Sequence, residues 1–549
     1  MEQARIFIAI ALSFLVFLIW DFFFVDREAI QPPPPAEKVA EQTAQDEPFV
    51  PPAATAEPSA ATEAVPALAA ARTLTIDSPL YTMKISENGA AVKSLVLKNY
   101  REHVAAGSPL LEMISPDLAG GTLRMNLADR SIPGLGSAVF AADRNADTLT
   151  VQDGPQTLAF SWTSPAGVVV EKEFTFSPDS YVIGLTVGIK NGSSQTLKDN
   201  PVLSLFYPIP EDTARYGFEG PSALIDNSLE QIKIKDIEDK NVYSGRLSWV
   251  AVQSRYFMSS VIPDAPVDGS MRLSVDGNNM LENQYIQPVI TVDPGTQQRF
   301  SYQVFFGPKS MKVLAGVGHD LKKAVNFGMF DFIAKPCVWL MNFIHDHMVP
   351  NYGVAIILLT ILTKILLWPL GTKSYKSMAE MKKVQPLMAE IREKYKNDKR
   401  KMNEEIMNLY KIYKVNPMGG CLPMVVQIPV FFALYRMLYE AIELRHAPFF
   451  GWITDLSAPD RLFHFDFAIP FMQAPYGIPV LTIVMGATMF LQQKMQPPMG
   501  DPAQAKMMMF MPIVFTVIFI NFSSGLVLYW LVNNILSIAQ QYYVSQKNA

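Results

Sequence analysis

The sequence has few cysteines and lacks the short motifs of the common enzyme families. Only two cysteines, Cys337 and Cys421, occur in 549 residues, and their apolar surroundings are typical of buried thiols rather than of a disulfide or a metal site. GxxxxGKS/T, HExxH, GxSxG and GxGxxG motifs are absent, so nucleotide binding and hydrolysis have no support. NFSSG, at residues 521–525, is similar to an intramembrane serine protease motif, but a turn between two helices explains it more simply. We therefore predict a protein that is not an enzyme and needs no cofactor, metal or small-molecule substrate.

Charge is also scarce, and apolar residues are abundant. Hydrophobic residues make up 49% of the chain and charged residues 18%, which predicts an integral membrane protein. Residues 1–25 are long for a signal-peptide core and lack a small-x-small cleavage site, so an uncleaved anchor is favoured over a signal peptide. Five further membrane spans are predicted at residues 351–371, 418–440, 476–493, 507–522 and 525–543.

The positive charges are concentrated on one side of these spans. Residues 372–414 hold twelve Lys or Arg against six Asp or Glu, whereas the loop 441–475 has few positive charges. Since Lys and Arg accumulate in cytoplasmic loops, residues 372–416 are predicted to be cytoplasmic and the loop external. Both termini are then cytoplasmic, in a multi-pass membrane protein.

Three segments between the anchor and the second span have different patterns. Residues 26–72 are rich in Pro, Ala and Glu and predict a disordered external tether. Residues 73–310 alternate apolar and polar side chains, as in YVIGLTVGIK, and predict an all-β sandwich. Residues 327–348 predict an amphipathic helix lying in the membrane interface, with Trp339 as an anchor.

The segment 372–416 contains two amphipathic helices separated by a turn at Asn397 and Asp398. We predict a basic helical hairpin that attracts anionic lipid or ribosomal RNA; a solvated charged face without a partner is the alternative. The candidate partner-binding residues are Lys382, Lys383, Arg392, Lys399 and Arg400.

Lys364 lies inside the span 351–371, where a charge costs roughly 2.5–3.5 kcal/mol and is by default a functional-site candidate. Thr360, Thr363 and Lys364 share one helix face because they are spaced i, i+3 and i+4. Polar residues in other spans could line one hydrophilic cavity with them, although hydrogen bonding between helices and snorkelling of the lysine remain open. These residues are Gln427, Tyr529, Asn533 and Ser537.

Two features suggest a site for variable apolar ligands. Residues 495–511 are rich in methionine, which suits promiscuous apolar binding as well as ordinary core packing. The span 507–522 is only ~24 Å long as a helix, shorter than a hydrocarbon core of ~30 Å, which predicts local thinning of the bilayer.

Several stretches resemble the YidC-type membrane protein insertases. They are KVNPMGGCLPMVVQIPVFFALY at 414–435, LSAPD at 456–460, FMPIVFTVIF at 510–519, SSGLVLYWLVNN at 523–534 and WVAVQSRYF at 249–257. The resemblance implies a Gram-negative inner-membrane protein with an N-terminal anchor, a periplasmic β-supersandwich and a core of five transmembrane helices. That core is expected to enclose a groove open to the cytoplasm and to lipid. The expected role is inserting and helping to fold membrane proteins, alone or with the Sec translocon.

The groove charge of this family is usually an arginine, and the matching position here is Lys364. The lysine keeps a positive charge but lacks the planar fork that binds a carboxylate through two hydrogen bonds. The predicted mechanism brings a nascent segment from a ribosome to the hairpin, and then places its polar flank beside Lys364. Its apolar part slides along two spans, at Ile428, Pro429, Phe431 and Phe510.

Two other functions have less support in the sequence. An ion or solute channel also uses polar residues among spans, but the outer half of the Lys364 helix carries no charge that could line a complete path. A sugar-modifying β-domain lacks an assignable pair of carboxylates.

Overall fold

The computed structural model describes residues 71–548 except 106, 115–117, 119, 211–216, 416–421 and 497–501. The predicted anchor 1–25 and the predicted tether up to residue 70 lie outside the described residues, as do the first residues of the predicted span 418–440. The side chain of Lys399 is not described either.

The alternating pattern of the first half of the chain forms short strands. β10 shows the cause most clearly, because Ile183, Leu185, Val187 and Ile189 are each 1% exposed while the residues between them face away from this core. The strands of this region are β1 Thr73–Asp77, β2 Tyr81–Ser86, β3 Ala91–Arg101, β4 Leu110–Ile114, β5 Arg124–Leu127, β6 Ala141–Ala142, β7 Thr148–Thr150, β8 Gln156–Thr163, β9 Val168–Phe176, β10 Val182–Asn191, β11 Leu197–Asp199, β12 Pro201–Pro208, β13 Gly220–Ile225, β14 Ser228–Gln231, β15 Val242–Gln253, β16 Phe257–Pro263, β17 Val267–Val275, β18 Met280–Ile286, β19 Ile290–Val292 and β20 Gln297–Pro308.

Two large sheets make up this β-domain. One sheet has the order β4-β3-β2-β1-β7, with β1 and β7 parallel. The other has the order β5-β12-β18-β17-β15-β16-β20-β10-β9-β8-β6, with β13 attached to β15 and β14 attached to β13. A small pair, β11 with β19, completes it. The side chains between the two large sheets form one hydrophobic core. Almost all of its buried residues come from the β-domain itself.

A buried lysine joins the two sheets. The Lys172 ammonium in β9 donates hydrogen bonds to the carbonyls of Ala90 at 2.7 Å, Leu123 at 3.0 Å and Gly89 at 3.2 Å. The side chain is fully buried, and desolvation lowers the pKa of Lys172 from 10.5 to about 7. Three backbone acceptors thus hold an amine that the apolar core disfavours in its charged form.

The rest of the chain is mainly helical. Its helices are α1 Met311–Val317, α2 Asp331–His347, α3 Tyr352–Lys394, α4 Lys399–Ile412, α5 Leu422–Glu440, α6 Val480–Met495, α7 Pro502–Phe519 and α8 Ser524–Asn548. A hairpin of β21 Leu462–Phe465 and β22 Tyr476–Ile478 lies between α5 and α6. A second core runs from Trp249 and Phe305 on the β-domain into these helices, so the two regions share buried apolar contacts.

Some boundaries differ from the sequence prediction. α3 has 43 residues and continues through the predicted end of a span at residue 371, although Pro369 and Gly371 disfavour a helix at that point. Residues 476–478, placed in the predicted span 476–493, form β22 because they pair with β21. The helix predicted at 507–522 starts at Pro502 and ends at Phe519, before the turn that leads to Ser524.

By length and composition, one helix within the described part of the chain is long and apolar enough to cross a membrane. That helix is α3; the apolar stretch Met507–Phe519 of α7 is shorter. The predicted number of spans therefore stays a prediction.

The predicted hairpin contains two helices, with a turn at residues 395–398 between them. Asp398 caps the second helix, since its carboxylate accepts a hydrogen bond from the Lys401 amide at 3.0 Å. Residues 391–407 group apart from residues 70–390 and 408–549.

Candidate functional site

Lys364 is buried inside the helical region. It is 6% exposed, whereas Ile365 and Leu366 next to it are 60% and 80% exposed. The same helix therefore presents an apolar outer face and a polar inner face, as the spacing of Thr360, Thr363 and Lys364 predicts.

The Lys364 ammonium is held by a neutral partner. Its Nζ donates a hydrogen bond of 2.6 Å to Ser537 Oγ on α8, and Ser537 Oγ in turn donates to the Asn533 carbonyl at 2.7 Å. No carboxylate among the described residues forms an ion pair with Lys364. A buried cation without a counter-charge attracts anionic or strongly polar groups, since it lacks the partner that usually compensates its burial.

The two threonines bond within their own helix. Thr360 Oγ1 donates to the Ile356 carbonyl at 2.7 Å, and Thr363 Oγ1 donates to the Thr360 carbonyl at 2.9 Å. Their hydroxyl protons are thereby satisfied, and the oxygens keep acceptor capacity. The site thus has a fixed donor at Lys364 beside hydroxyl groups that could accept hydrogen bonds.

Further polar residues lie near Lys364 and Ser537. Gln540 Nε2 on α8 donates to the Trp368 carbonyl at 2.9 Å and to Thr372 Oγ1 at 3.2 Å. The close approach is possible because Gly371 has no side chain: a Cβ there would lie 2.8 Å from the Gln540 amide. Tyr375 hydrogen-bonds Ser537 and Gln492. The polar region thus extends along α3 beyond Lys364.

Sequence reasoning missed four contributors to this region. Tyr375 contacts both Ser537 and Gln492, and Asn534 Nδ2 donates to Thr488 Oγ1 at 3.3 Å. Thr488 and Gln492 are spaced i, i+4 on α6, so a polar stripe on that helix was the available signal.

The other predicted site residues have different surroundings. The structure shows no hydrogen bond that joins the described side chains of Gln427 or Tyr529 to it, although Tyr529 is buried. Phe431 on α5 packs edge-on against Trp530 of α8, with ring centroids 4.6 Å apart. Phe510 on α7 is 63% exposed. Ile428 and Pro429 are partly exposed on α5.

An arginine of the β-domain hydrogen-bonds the last turn of α5. Arg255, in the turn between β15 and β16, donates to the Tyr439 carbonyl through Nε at 3.0 Å and Nη2 at 2.7 Å. Its guanidinium also lies 3.6 Å from the centroid of the Tyr439 ring. The last carbonyls of a helix receive no hydrogen bond from their own helix. Arg255 supplies one here, so it caps α5 and its positive charge complements the negative end of the helix dipole.

Neighbouring contacts strengthen this junction. Arg445 Nη2, just after α5, donates to the Arg101 carbonyl at 2.6 Å. Ser310 Oγ donates to the Glu443 carboxylate at 3.2 Å, and burial raises the pKa of Glu443. Both sides of the junction therefore contribute hydrogen-bonding groups.

The basic hairpin has an apolar inner side. Met381, Val384 and Met388 of α3 are buried, and the Tyr410 hydroxyl donates to the Met388 sulfur at 3.5 Å. Lys382 and Lys383 lie on the exposed side of α3. Arg392 is partly exposed and Arg400 exposed within the separate unit 391–407.

The part of the chain that the structure describes holds no group of three or more His, Cys, Asp or Glu side chains arranged to bind a metal ion. Cys337 is a buried free thiol, as its apolar surroundings predict; Cys421 lies outside the described residues.

Comparison with known families explains this arrangement. A family model described as "60Kd inner membrane protein" matches residues 343–549, and one described as "YidC periplasmic domain" matches residues 73–340. The chain belongs to the YidC family of membrane protein insertases. Like the family, it combines a periplasmic domain rich in β-sheet with a helical C-terminal region, and it is a membrane protein.

Relatives named membrane protein insertase YidC match nearly the whole length of the chain. The membrane protein insertase YidC of Syntrophus aciditrophicus is 42% identical, covering 98% of this chain and 99% of that one. The corresponding protein of Syntrophobacter fumaroxidans is 43% identical over 99% and 100%. A crystal structure described as an active YidC insertase with its first transmembrane domain resolved is 18% identical, with a TM-score of 0.38, and covers 86% of this chain and 95% of that chain.

The family assignment confirms that the chain is a non-enzymatic insertase, and it does not support the ion-channel alternative.

Proposed function

We propose that this YidC-family chain inserts nascent membrane proteins by receiving their polar flanks beside Lys364, while their apolar segments leave along α5 and α7. The supporting observation is the buried Lys364 ammonium, whose described partner is the neutral Ser537 hydroxyl at 2.6 Å. A polar flank would otherwise enter hydrocarbon without hydrogen-bond partners, at several kcal/mol per unsatisfied group. Thr360, Thr363, Asn533 and Ser537 offer such partners, together with Gln427 and Tyr529 from the neighbouring helices.

The proposed membrane arrangement has an N-terminal anchor at 1–25 and five spans. These are residues 351–371 of α3 together with α5, α6, α7 and α8, with both termini cytoplasmic. The length of α3 supports this placement: its 43 residues extend for ~65 Å, about twice a hydrocarbon core of ~30 Å. Its basic second half then projects into the cytoplasm. The apolar stretch Met507–Phe519 of α7 covers only ~20 Å, which supports local thinning of the bilayer.

The hairpin is proposed to receive the client's delivery partner. Lys382, Lys383, Arg392, Lys399 and Arg400 supply positive charge for ribosomal RNA or for anionic lipid, and the ribosome is the partner we favour. Cooperation with the Sec translocon belongs to the same proposal. Binding that depends on these charges should weaken as the salt concentration rises.

The apolar route is proposed to run over Ile428, Pro429 and Phe431 on α5 and Phe510 on α7. The large exposure of Phe510 supports this role, because an exposed aromatic side chain on an apolar helix offers a surface that a client segment can replace without disturbing the core.

Reconstitution tests the proposed function. The purified chain is placed in liposomes with a short single-span client and no nucleotide, and protease protection of the client's tail is measured. Protection well above that in empty liposomes is expected. Equal protection in the two samples would refute the proposal.

A further inference from the structure

A hairpin between α5 and α6 carries unusually exposed aromatic side chains. We call residues 462–478, which comprise β21, β22 and the loop between them, the aromatic hairpin. Phe463, Phe467 and Phe471 are 66%, 65% and 78% exposed. The hairpin contains no Lys or Arg, and its formal charge comes from Asp466 alone when His464 is neutral. Exposed apolar surface of this kind marks a contact with a membrane or with another protein.

Polar contacts fix the hairpin to the end of α7. Arg461 Nη1 donates to the Ile520 carbonyl at 2.9 Å, and Arg461 Nε donates to the Pro475 carbonyl at 2.9 Å. Asn521 Nδ2 donates to the Phe471 carbonyl at 2.7 Å, while its Oδ1 accepts from the Gln473 amide at 2.8 Å. The exposed rings are therefore held next to the point where the apolar helix α7 ends.

The start of α6 is fixed to the same base. Asp460 accepts hydrogen bonds from the Leu481 amide at 2.7 Å and from Thr482 Oγ1 at 3.0 Å, which caps the first turn of α6. Since Asp460 and Arg461 are adjacent, one short segment sets the positions of both helix ends and of the hairpin.

Two of the exposed phenylalanines have an unfavourable backbone. Phe463 and Phe471 have φ values of 55° and 64°, in the left-handed region that a bulky residue rarely adopts. Such residues persist where their surroundings stabilise them. Burial inside this chain does not provide that stabilisation, because both rings are exposed.

We infer that the aromatic hairpin inserts Phe463, Phe467 and Phe471 into the outer interface of a phospholipid bilayer and so sets the depth of the α6 and α7 ends. Its position at the end of an apolar helix favours lipid, since aromatic side chains are enriched where spans leave the hydrocarbon. The scarcity of charge agrees with this partner, because Asp466 is the one formally charged side chain of the hairpin that would have to stay in water. The inference rests on the proposed arrangement in which α6 and α7 span the membrane.

Spin labelling of the full-length chain tests the inference. Cys337→Ala and Cys421→Ala remove the native thiols, and a nitroxide is attached to single cysteines at positions 463, 467 and 471. A label at position 278, in the exposed turn between β17 and β18, is the matched control. In proteoliposomes, collision with oxygen and with a water-soluble nickel chelate is measured for each label.

The three hairpin labels should show a ratio of oxygen to nickel collisions several-fold above that of the control. A ratio equal to the control at all three positions would overturn the inference, because it places them in water. Low accessibility to both reagents would also overturn it, since that indicates a protein contact.

Client insertion is measured in the same proteoliposomes, without labels. Normal insertion with a water-exposed hairpin refutes this inference and leaves the proposed function intact. Labels in the lipid interface without any client insertion refute the proposed function and support the hairpin's role.

Discussion

Replacing Arg255 should loosen the outer end of α5. The guanidinium forms a charge-assisted contact with the Tyr439 carbonyl, of the kind that contributes about 1.5–3 kcal/mol, and it stacks on the Tyr439 ring, which contributes about 0.5–2 kcal/mol. Because both contacts come from one side chain, we expect Arg255→Ala to destabilise this junction by about 2–4 kcal/mol.

Amide hydrogen exchange gives the most direct readout. Exchange in the last turn of α5 should accelerate in Arg255→Ala by about one and a half to three orders of magnitude if it follows local opening, since each 1.4 kcal/mol is about tenfold. Arg255→Lys keeps the charge but loses the planar fork, so its exchange rate in this turn should lie between those of wild type and Arg255→Ala. Arg246→Ala, an exposed position in β15, removes the same charge from the same domain and should leave α5 unchanged.

Equal exchange at α5 in Arg255→Ala and Arg246→Ala would refute the reasoning. The β-domain would then share a surface with α5 without stabilising its end.

Three further predictions concern the buried polar groups and the helix packing. Ser537→Ala removes the acceptor of the Lys364 ammonium and should lower the stability of the helical region by about 1–3 kcal/mol, measured by thermal unfolding in detergent. The pKa of Lys172 is about 7 in the folded chain and 10.5 for an ordinary, solvent-exposed lysine. Between pH 7 and pH 10.5 the unfolded chain therefore binds more protons than the folded chain. Stability of the β-domain should therefore rise from pH 7 towards pH 9, and Lys172→Met should remove that rise. A Cβ at Gly486 would lie 2.1 Å from Thr516 Oγ1, so Gly486→Val should separate α6 from α7 and reduce client insertion, whereas Gly277→Val, in an open turn, should not.

The alternation of side chains predicted the β-domain because one face of each strand must be buried. In β10 the pattern read from Ile183 to Ile189 corresponds directly to the burial in the structure. The order of the strands in the large sheet could not be read in the same way, since it depends on pairings between distant residues such as Val182 with Phe305.

The part of the candidate site that could be predicted is a charged residue in an apolar helix. Lys364 stands out in an apolar helix, and its partner Ser537 lies on a polar face of α8 that was also visible. Tyr375 had no such signal, because only the packing of α3 against α6 and α8 brings it to Ser537 and Gln492. For Gln492 the signal was its i, i+4 spacing from Thr488 on α6. The hairpin strand β22 was missed for a related reason, since the apolar residues 476–478 suit a helix until β21 pairs with them.

In the proposed mechanism, the positive charge at Lys364 receives polar or acidic parts of a client. The most direct test compares wild type and Lys364→Ala in liposomes with two clients whose translocated tails differ only in carrying aspartate or asparagine. We expect Lys364→Ala to reduce insertion of the aspartate client several-fold more than that of the asparagine client, and Lys364→Arg to retain insertion of the aspartate client. Equal loss for the two clients would contradict electrostatic reception by Lys364.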